Sequence, residues 1–336
     1  MGLSLSTRSS GAIAACPSEV TPSLDPLDFG RCLDDDRILG VIAFPADQSP
    51  ALPSGLPPVA MIDMPSLADT NGMMEVWRGI LPARHGEFSG IRYAENGEFM
   101  FGVMDLDDDA IEASAFMAYQ NLITMARHLA YPHILRVWNH FSGINDEQAG
   151  MERYQRFCMG RYRAYEAAGY TARGGFPAAS ALGARGNRLW IYFIAARHSG
   201  SPIENPRQVS AYHYPPVYGP SSPSFSRAMK QGHQLFVSGT ASIVGHATAH
   251  ESEAVAQCLE TLTNLRTLLT EANPTGIFPP PSSSWRVYLR SASDHPAVRD
   301  CLTSTLGQEA RILFLEGDIC RADLLVEIEA VVRCTT

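Results

Sequence analysis

The sequence predicts an α+β protein built from two α/β halves, each a mixed sheet packed with helices. Strand-like and helix-like stretches follow one another in the order β-β-α-β-α-β, and then do so a second time. Residues 136–139 (Arg-Val-Trp-Asn) of the first series correspond to residues 286–289 (Arg-Val-Tyr-Leu) of the second. A segment with six prolines, residues 202–223, separates the two series, as expected of a connection between domains.

The elements of the first half follow from composition and spacing. Stretches rich in aliphatic and β-branched residues predict strands at residues 37–45, 75–78, 134–139 and 189–196. The Asn96-Gly97 turn signal predicts a hairpin that joins residues 86–93 to residues 99–104. Apolar residues at helical spacing predict helices at residues 111–129 and 146–168.

The second half is predicted in the same way. Strands are expected at residues 234–240, 285–290, 313–315 and 324–332, and helices at residues 252–271 and 295–306. The resulting domain prediction is a mobile tail at residues 1–25, an N-terminal domain at residues 26–205 and a C-terminal domain at residues 206–336.

The last predicted strand carries two carboxylates in an otherwise apolar stretch. Because side chains alternate along a strand, Glu327 and Glu329 share one face, whereas the opposite face is wholly apolar and must be core. One interpretation is a surface pair near a sheet edge. The other is a carboxylic acid in a half-buried cleft, with its pKa raised so that it can act as a general acid or base.

Composition and charge narrow the function classes. The net charge of −9 argues against nucleic-acid binding, which requires a basic face, and apolar runs are too short to span a membrane. The seven cysteines are widely spaced and form no CxxC motif, which predicts a reducing, cytoplasmic location rather than a disulfide framework or a zinc site. His246 and His250 are four residues apart but follow a loop, so a zinc pair is not expected. We expect no metal and no cofactor.

The second half resembles the RidA/YjgF family. The resemblance rests on residues 223–228 (Pro-Ser-Phe-Ser-Arg-Ala), residues 235–239 (Leu-Phe-Val-Ser-Gly), Ala256-Gln257 with Leu262 and Asn264, and residues 326–330 (Val-Glu-Ile-Glu-Ala). It implies a RidA-like, chorismate mutase-like fold for each half. RidA proteins are trimers, and an internal duplication could replace some subunit contacts, so monomer and trimer both remain open.

Most of the chain, residues 35–333, also resembles the chorismatases. The matching stretches are residues 204–212, 238–246 and 318–329 in the second half, and residues 136–139, 153–154 and 157–161 in the first. This family cleaves the enolpyruvyl ether of chorismate and releases pyruvate. Its members differ in whether the ring leaves as a dihydroxy-cyclohexadiene carboxylate, as 3-hydroxybenzoate, or as a mixture of 3- and 4-hydroxybenzoate.

The resemblance implies roles for three residues. Glu327 is implied as the catalytic acid, and Cys320 and Ala241 as pocket residues that bias the product. Cysteine goes with aromatic products, whereas alanine at the other position also occurs in the hydrolytic branch. We base the product prediction on the cysteine, because a thiol is a poor hydrogen-bond partner for an attacking water molecule. We therefore expect 3-hydroxybenzoate with 4-hydroxybenzoate beside it, and the dihydrodiol as the alternative.

The two carboxylates of chorismate require arginine partners. Arg161 and Tyr154 lie seven residues apart on one face of a predicted helix, and the family resemblance favours both as substrate-binding residues. Arg227, Tyr212 and Thr240 are further candidates, and Arg311 and Arg321 are alternatives for the same task. Glu329 is expected to be structural. A RidA-type imine or enamine deaminase and a non-catalytic module that binds an aromatic acid remain competing functions.

Overall fold

The computed structural model describes residues 19–46, 52–67, 72–171, 175–274, 276–280 and 283–334. The first half contains helices α1 (Ile111–His128) and α2 (Arg153–Ala167) and strands β1 (Val20–Pro26), β2 (Ile38–Phe44), β3 (Val59–Met61), β4 (Met73–Gly79), β5 (Arg84–Phe88), β6 (Ile91–Glu95), β7 (Phe99–Asp107), β8 (His133–Phe141), β9 (Glu147–Gln148), β10 (Met151–Glu152), β11 (Ala178–Gly183) and β12 (Arg188–Ala196).

The second half contains helices α3 (Ala254–Ala272) and α4 (His295–Leu306). Its strands are β13 (Ser201–Ile203), β14 (Ala228–Gln231), β15 (Gln234–Ala241), β16 (Ile243–Val244), β17 (Ala247–Thr248), β18 (Ser283–Leu289), β19 (Arg311–Glu316), β20 (Asp318–Ile319) and β21 (Val326–Arg333). None of the helices in the described part of the chain has both the length and the apolarity that a bilayer crossing requires.

Two mixed sheets with the same topology confirm the predicted α+β fold. The first has the order β20-β11-β8-β12-β7-β6-β5, and the second has the order β13-β14-β15-β21-β18-β19. In the first sheet β12 lies antiparallel between β7 and β8, and β8 is parallel to β11. In the second sheet β21 lies antiparallel between β15 and β18, and β18 is parallel to β19. One half is therefore a topological copy of the other.

The copy extends to the register of single residues. Arg136 and Trp138 of β8 face Ile194 and Tyr192 of β12. At the corresponding positions, Arg286 and Tyr288 of β18 face Glu329 and Glu327 of β21. The predicted correspondence of the two strands is confirmed, and the position that carries Glu327 in the second half carries Tyr192 in the first.

A third sheet, of order β1-β4-β2-β3, packs with the two large sheets around a shared apolar core. This core takes Phe44 and Trp77 from the third sheet, Trp138 from the first large sheet, and Phe236 and Tyr288 from the second. The outer faces of the two large sheets are covered by α1 with α2 and by α3 with α4. The apolar residues that the three sheets contribute to this core are buried.

Three boundaries differ from the sequence prediction. Helix α2 begins at Arg153 rather than residue 146, because the positive φ angles of Ala149 and Gly150 close the β9–β10 hairpin just before it. Ser89 and Gly90, also at positive φ, break the predicted strand at residues 86–93 into β5 and β6. Both dipeptides place a glycine second, a turn signal that the prediction overlooked.

The predicted mobile tail at residues 1–25 includes most of a strand. Residues 1–18 lie outside the described residues, but Val20–Pro26 forms β1 and pairs with β4. The backbone of Val20 also bonds to the Gln234 side chain, which ties β1 to the second half. The division at residue 205 stays a prediction; β13, which precedes it, belongs to the second sheet, and β20 from the second half pairs with β11 of the first.

Candidate active site

A cavity of about 610 Å³ lies where the two halves meet at β21. Its wall combines residues from four stretches of chain, within residues 145–155, 214–227, 239–243 and 320–327. The first stretch belongs to the β9–β10 hairpin and the start of α2, whereas the other three come from the second half. Because neither half closes the cavity alone, its shape depends on the packing of one half on the other.

Glu327 reaches this cavity from the middle of a sheet. Its strand, β21, is central in the second sheet, and Glu327 is only 4% exposed. The neighbouring strand β15 contains a β-bulge between Val237 and Thr240, which places Gly239 against the Glu327 carboxyl. No hydrogen bond to Glu327 occurs within the described part of the chain, so this carboxyl is available to a ligand.

The two carboxyls of β21 have opposite protonation tendencies. Burial, reinforced by the negative charge of Glu329, raises the pKa of Glu327 to about 8, against the opposing pull of Arg136 and Arg227. Burial alone would also raise the pKa of Glu329, but the guanidiniums of Arg286 and Arg136 overcome it and hold that pKa below its usual range. Near neutral pH, Glu327 is a protonated acid beside an ionised Glu329.

Glu329 sits in a buried network that sequence reasoning did not find. Its carboxylate accepts hydrogen bonds from Arg136 Nη2 (2.6 Å), Ser180 Oγ (2.6 Å), Trp138 Nε1 (2.9 Å) and Tyr288 Oη (3.1 Å). Arg286 Nη1 completes the set at 3.0 Å. Arg286 also pairs with Glu75 of β4, so the network joins all three sheets.

Two arginines of the cavity wall have unsatisfied donors. Arg227 donates from Nη2 to Val209 O (3.0 Å) and to Tyr214 Oη (2.8 Å). Arg321 donates from Nη1 to His246 O (2.9 Å), and its guanidinium carbon lies 4.0 Å from the centre of the Tyr218 ring. Arg227 Nε and Arg321 Nη2 are buried and have no partner among the described residues. A carboxylate ligand would satisfy such donors.

Cys320 and Ala241, which the family resemblance implies as product-determining residues, both line the cavity. Ala241 is the direct neighbour of Glu327 across the β15–β21 pair and is buried. Cys320 lies just after β20, where burial, together with the charge of Glu327, raises the pKa of its thiol to about 12. The thiol is therefore neutral and cannot act as a thiolate nucleophile. A neutral sulfur next to the acid is compatible with a role as part of the wall.

The other predicted substrate-binding residues divide into two groups. Tyr154 and Arg227 are in the cavity wall. Arg161 is not in the wall, because its side chain turns into the core, 1% exposed and with its guanidinium carbon 5.0 Å from the Phe157 ring centre. Tyr212 and Thr240 are not in the wall either: Tyr212 packs on Phe176 and His213, and Thr240 donates a hydrogen bond to Ser238 O. A direct substrate contact by these three is not supported.

Several wall residues were missed from sequence. Arg321 was only an alternative, and the β9–β10 hairpin was predicted as helix, which hid Glu152. Asn145, just before the hairpin, was not recognised as a wall residue either. Their side chains bond to each other, Asn145 Nδ2 to Glu152 Oε1 at 2.9 Å. Tyr214 and Tyr218 lie in the proline-rich segment that was interpreted only as a domain boundary. Aromatic residues among prolines were the available signal.

Among the described residues, no group of potential metal ligands lies together in the cavity wall. His246 accepts from or donates to Tyr218 Oη through Nδ1, and the side chain of His250 is near Glu260. Within the described residues, the acidic group Asp107, Asp108 and Asp109 is the one whose ligand atoms lie close together. None of the three aspartates is in the cavity wall, and Asp108 already binds Ser142 and Arg153.

Comparisons with known proteins agree on one family. The family model described as "Chorismatase FkbO/Hyg5-like, N-terminal" matches residues 75–195. A 3-hydroxybenzoate synthase of Streptomyces hygroscopicus is 38% identical over 315 residues, 88% of this chain and 92% of the relative. A chorismatase of the same organism is 35% identical over 312 residues, 89% of this chain and 90% of the relative. A crystal structure of a chorismatase, 32% identical, covers 94% of this chain and 98% of its own, with a TM-score of 0.86.

Proposed function

This chain belongs to the chorismatase family, and on that premise we propose that it cleaves the enolpyruvyl ether of chorismate and releases pyruvate. The observation that carries the proposal is the buried Glu327 carboxyl in the cavity wall, whose burial raises its pKa to about 8. Cleavage begins with protonation of a vinyl ether carbon, which requires an acid that still holds its proton near neutral pH. The cavity volume of about 610 Å³ is sufficient for a substrate of this size.

The proposed first step transfers a proton from Glu327 to the methylene carbon of the enolpyruvyl group. The double bond supplies the electron pair for the new C–H bond, and the adjacent carbon becomes an oxocarbenium ion. The ionised Glu327 then stabilises this cation at close range. Glu327 regains its proton when the ring or a water molecule loses one later in the reaction, so the acid is restored in each turnover.

The ring product depends on what attacks next. In the internal route, the ring hydroxyl loses its proton and its oxygen attacks the neighbouring ring carbon, so that the ether oxygen leaves as the carbonyl oxygen of pyruvate and an epoxide forms on the ring. One C–O bond of the epoxide then opens, its oxygen takes up a proton, and loss of a ring proton gives the aromatic hydroxybenzoate. In the hydrolytic route, water adds to the oxocarbenium carbon, and the hemiketal collapses to pyruvate and the dihydrodiol. We propose the internal route, with 3-hydroxybenzoate as product and 4-hydroxybenzoate beside it, supported by Cys320 in the wall and by the 38% identity to a 3-hydroxybenzoate synthase.

Arg227 is proposed to bind one substrate carboxylate, and Arg321 the other. Support comes from their place in the wall and from their unsatisfied donors. Tyr154, from the first half, forms part of the cavity wall. Arg161 acts, in this proposal, only from behind Tyr154, as a fixed positive charge that favours a dianionic substrate.

The test is incubation with chorismate in ¹⁸O-labelled water, with lactate dehydrogenase and NADH present to reduce pyruvate before its carbonyl exchanges oxygen. We expect unlabelled lactate and 3-hydroxybenzoate. Labelled lactate with the dihydrodiol would establish the hydrolytic route instead, and no release of pyruvate would refute the chorismatase activity. Glu327→Gln should lower turnover by about 10²-fold or more, whereas Glu87→Gln, an equivalent change on the exposed strand β5, should not.

We propose that the chain is a monomer. Of the two oligomeric states left open by the sequence, the monomer is the one that the shared core supports. Three sheets contributed by one chain already cover one another's inner faces. Sedimentation equilibrium should give a mass near 36.6 kDa, and a mass three times larger would establish the trimer.

A further inference from the structure

The burial of Glu329 costs more free energy than a purely structural role would explain. It is 4% exposed, and its burial brings two arginines, Arg136 and Arg286, into the interior with it. Buried ion pairs add little stability compared with apolar side chains of the same size, because each charge loses its hydration. A buried carboxylate with five partners, two residues from the catalytic acid, therefore calls for an explanation beyond stability.

The network fixes both the charge and the place of Glu329. Two cations and three neutral donors surround its oxygens, and all of them are buried side chains. One of the donors, Ser180, also accepts a hydrogen bond from the backbone N–H of Gly239 (2.9 Å), the residue that contacts Glu327. Through Ser180, the same network fixes the β15 bulge, and this bulge determines the position of the Glu327 carboxyl.

We propose that Glu329 is a positioning residue for the reaction: its fixed anion, on the same strand face as Glu327, keeps that neighbour in the acid form that protonates the substrate. This inference rests on the proposed role of Glu327. Two like charges so close in a buried site oppose each other, so the one with strong cationic partners ionises and the other retains its proton.

Other groups around Glu327 act on the same equilibrium. The titratable or charged side chains that face it are Glu329 on β21, Arg136 on β8, Tyr288 on β18, Arg227 before β14 and Cys320 after β20. The nearest part of β15 offers only Gly239 and Ala241. The two arginines favour the ionised form of Glu327, and Glu329 opposes them. Removal of the Glu329 charge would leave the arginines unopposed, and Glu327 would lose its proton at a lower pH.

The test compares the pH dependence of kcat/KM in the wild type, Glu329→Gln and Glu75→Gln. Glu75 is a matched control: it is also 4% exposed, and it pairs with the same Arg286, but on the side of the third sheet. In Glu329→Gln, the alkaline fall in activity should move to lower pH by about one unit or more. In Glu75→Gln it should stay in place. A fall that does not move in Glu329→Gln, or that moves equally in both variants, would overturn the inference.

A second variant should shift the pH profile in the opposite direction, and it provides the test if Glu329→Gln does not fold. Arg136→Gln removes a cation from the neighbourhood of Glu327, so the alkaline fall should move to higher pH. No movement, or movement to lower pH, would contradict the inference. Failure of the proposed function looks different, because the wild type would then release no pyruvate from chorismate, and failure of the proposed role of Glu327 would leave Glu327→Gln active. An inactive Glu327→Gln together with an unmoved profile in Glu329→Gln would refute the role of Glu329 alone.

Discussion

The Oε1 atom of Glu327 lies against the α-carbon of Gly239, in the space that a β-carbon at residue 239 would occupy. The β-bulge in β15 brings the two together, since it shifts the register between Val237 and Thr240. The Glu327 carboxyl is thus placed by the absence of a side chain on the adjacent strand as much as by its own strand.

Gly239→Ala should therefore impair catalysis without unfolding the protein. The φ angle of Gly239 is not in the left-handed region, so alanine is compatible with the backbone, and its methyl group would displace the Glu327 carboxyl. A displacement of about 1 Å can cost on the order of 10²-fold in rate, so we expect kcat to fall by that order while KM changes less. Steady-state kinetics with chorismate provide the measurement.

The control for this prediction is Gly30→Ala, in an exposed turn remote from the cavity, where the added carbon would meet only Asp28. It should leave kcat unchanged. If Gly239→Ala were folded and as active as Gly30→Ala, the contact between Gly239 and Glu327 would have no importance for the reaction.

The activity should fall as the pH rises above about 8. The raised pKa of Glu327 leaves it protonated below that pH, and deprotonation above it removes the acid. A profile of log kcat/KM against pH should bend to a slope of −1 near pH 8. A profile that stays level up to pH 10 would mean that another group supplies the proton.

Cys320→Ala should increase the hydrolytic share of the product. The thiol fills the wall beside Glu327, and its removal opens space that a water molecule could occupy. We expect the dihydrodiol to appear, or to rise, relative to 3-hydroxybenzoate in chromatograms of the products. Cys301→Ala, on helix α4, is the matched control and should keep the wild-type ratio. An unchanged ratio in Cys320→Ala would leave Ala241 as the better guide to the product.

Exhaustive chelation should not reduce the activity, and no nucleotide should be needed. Proton transfer from a carboxylic acid to a vinyl ether, followed by attack of an oxygen nucleophile, requires neither a Lewis acid nor a redox partner. The measurement is turnover after dialysis against EDTA, compared with turnover after dialysis against buffer. A loss that a divalent ion restores would refute this prediction.

The sequence predicted those features that depend on short-range pattern. Strand β21 and its two faces follow from alternation, and the duplication follows from the order of elements. The structure confirms both, and it also brings Glu327, Cys320, Ala241, Arg227 and Tyr154 to one cavity.

Features that depend on distant parts of the chain were not predictable in this way. The partners of Glu329 include Arg136 and Trp138, more than 190 residues away. The direction of the Arg161 side chain depends on how α2 packs on its sheet, and helical spacing places a residue on a face without stating whether that face is core or cavity. The hairpin at residues 147–152 was missed because the following helix dominates the local pattern.

The duplication has a consequence for how this enzyme can change. An assembly of identical subunits repeats each of its interfaces, so a substitution that improves one site alters every copy of it. In this chain, the position of Glu327 on β21 corresponds to Tyr192 on β12, and the two halves contribute different residues to the cavity wall. The β9–β10 hairpin of the first half can therefore vary to suit another ring, while the acid and its ionic surroundings in the second half stay as they are.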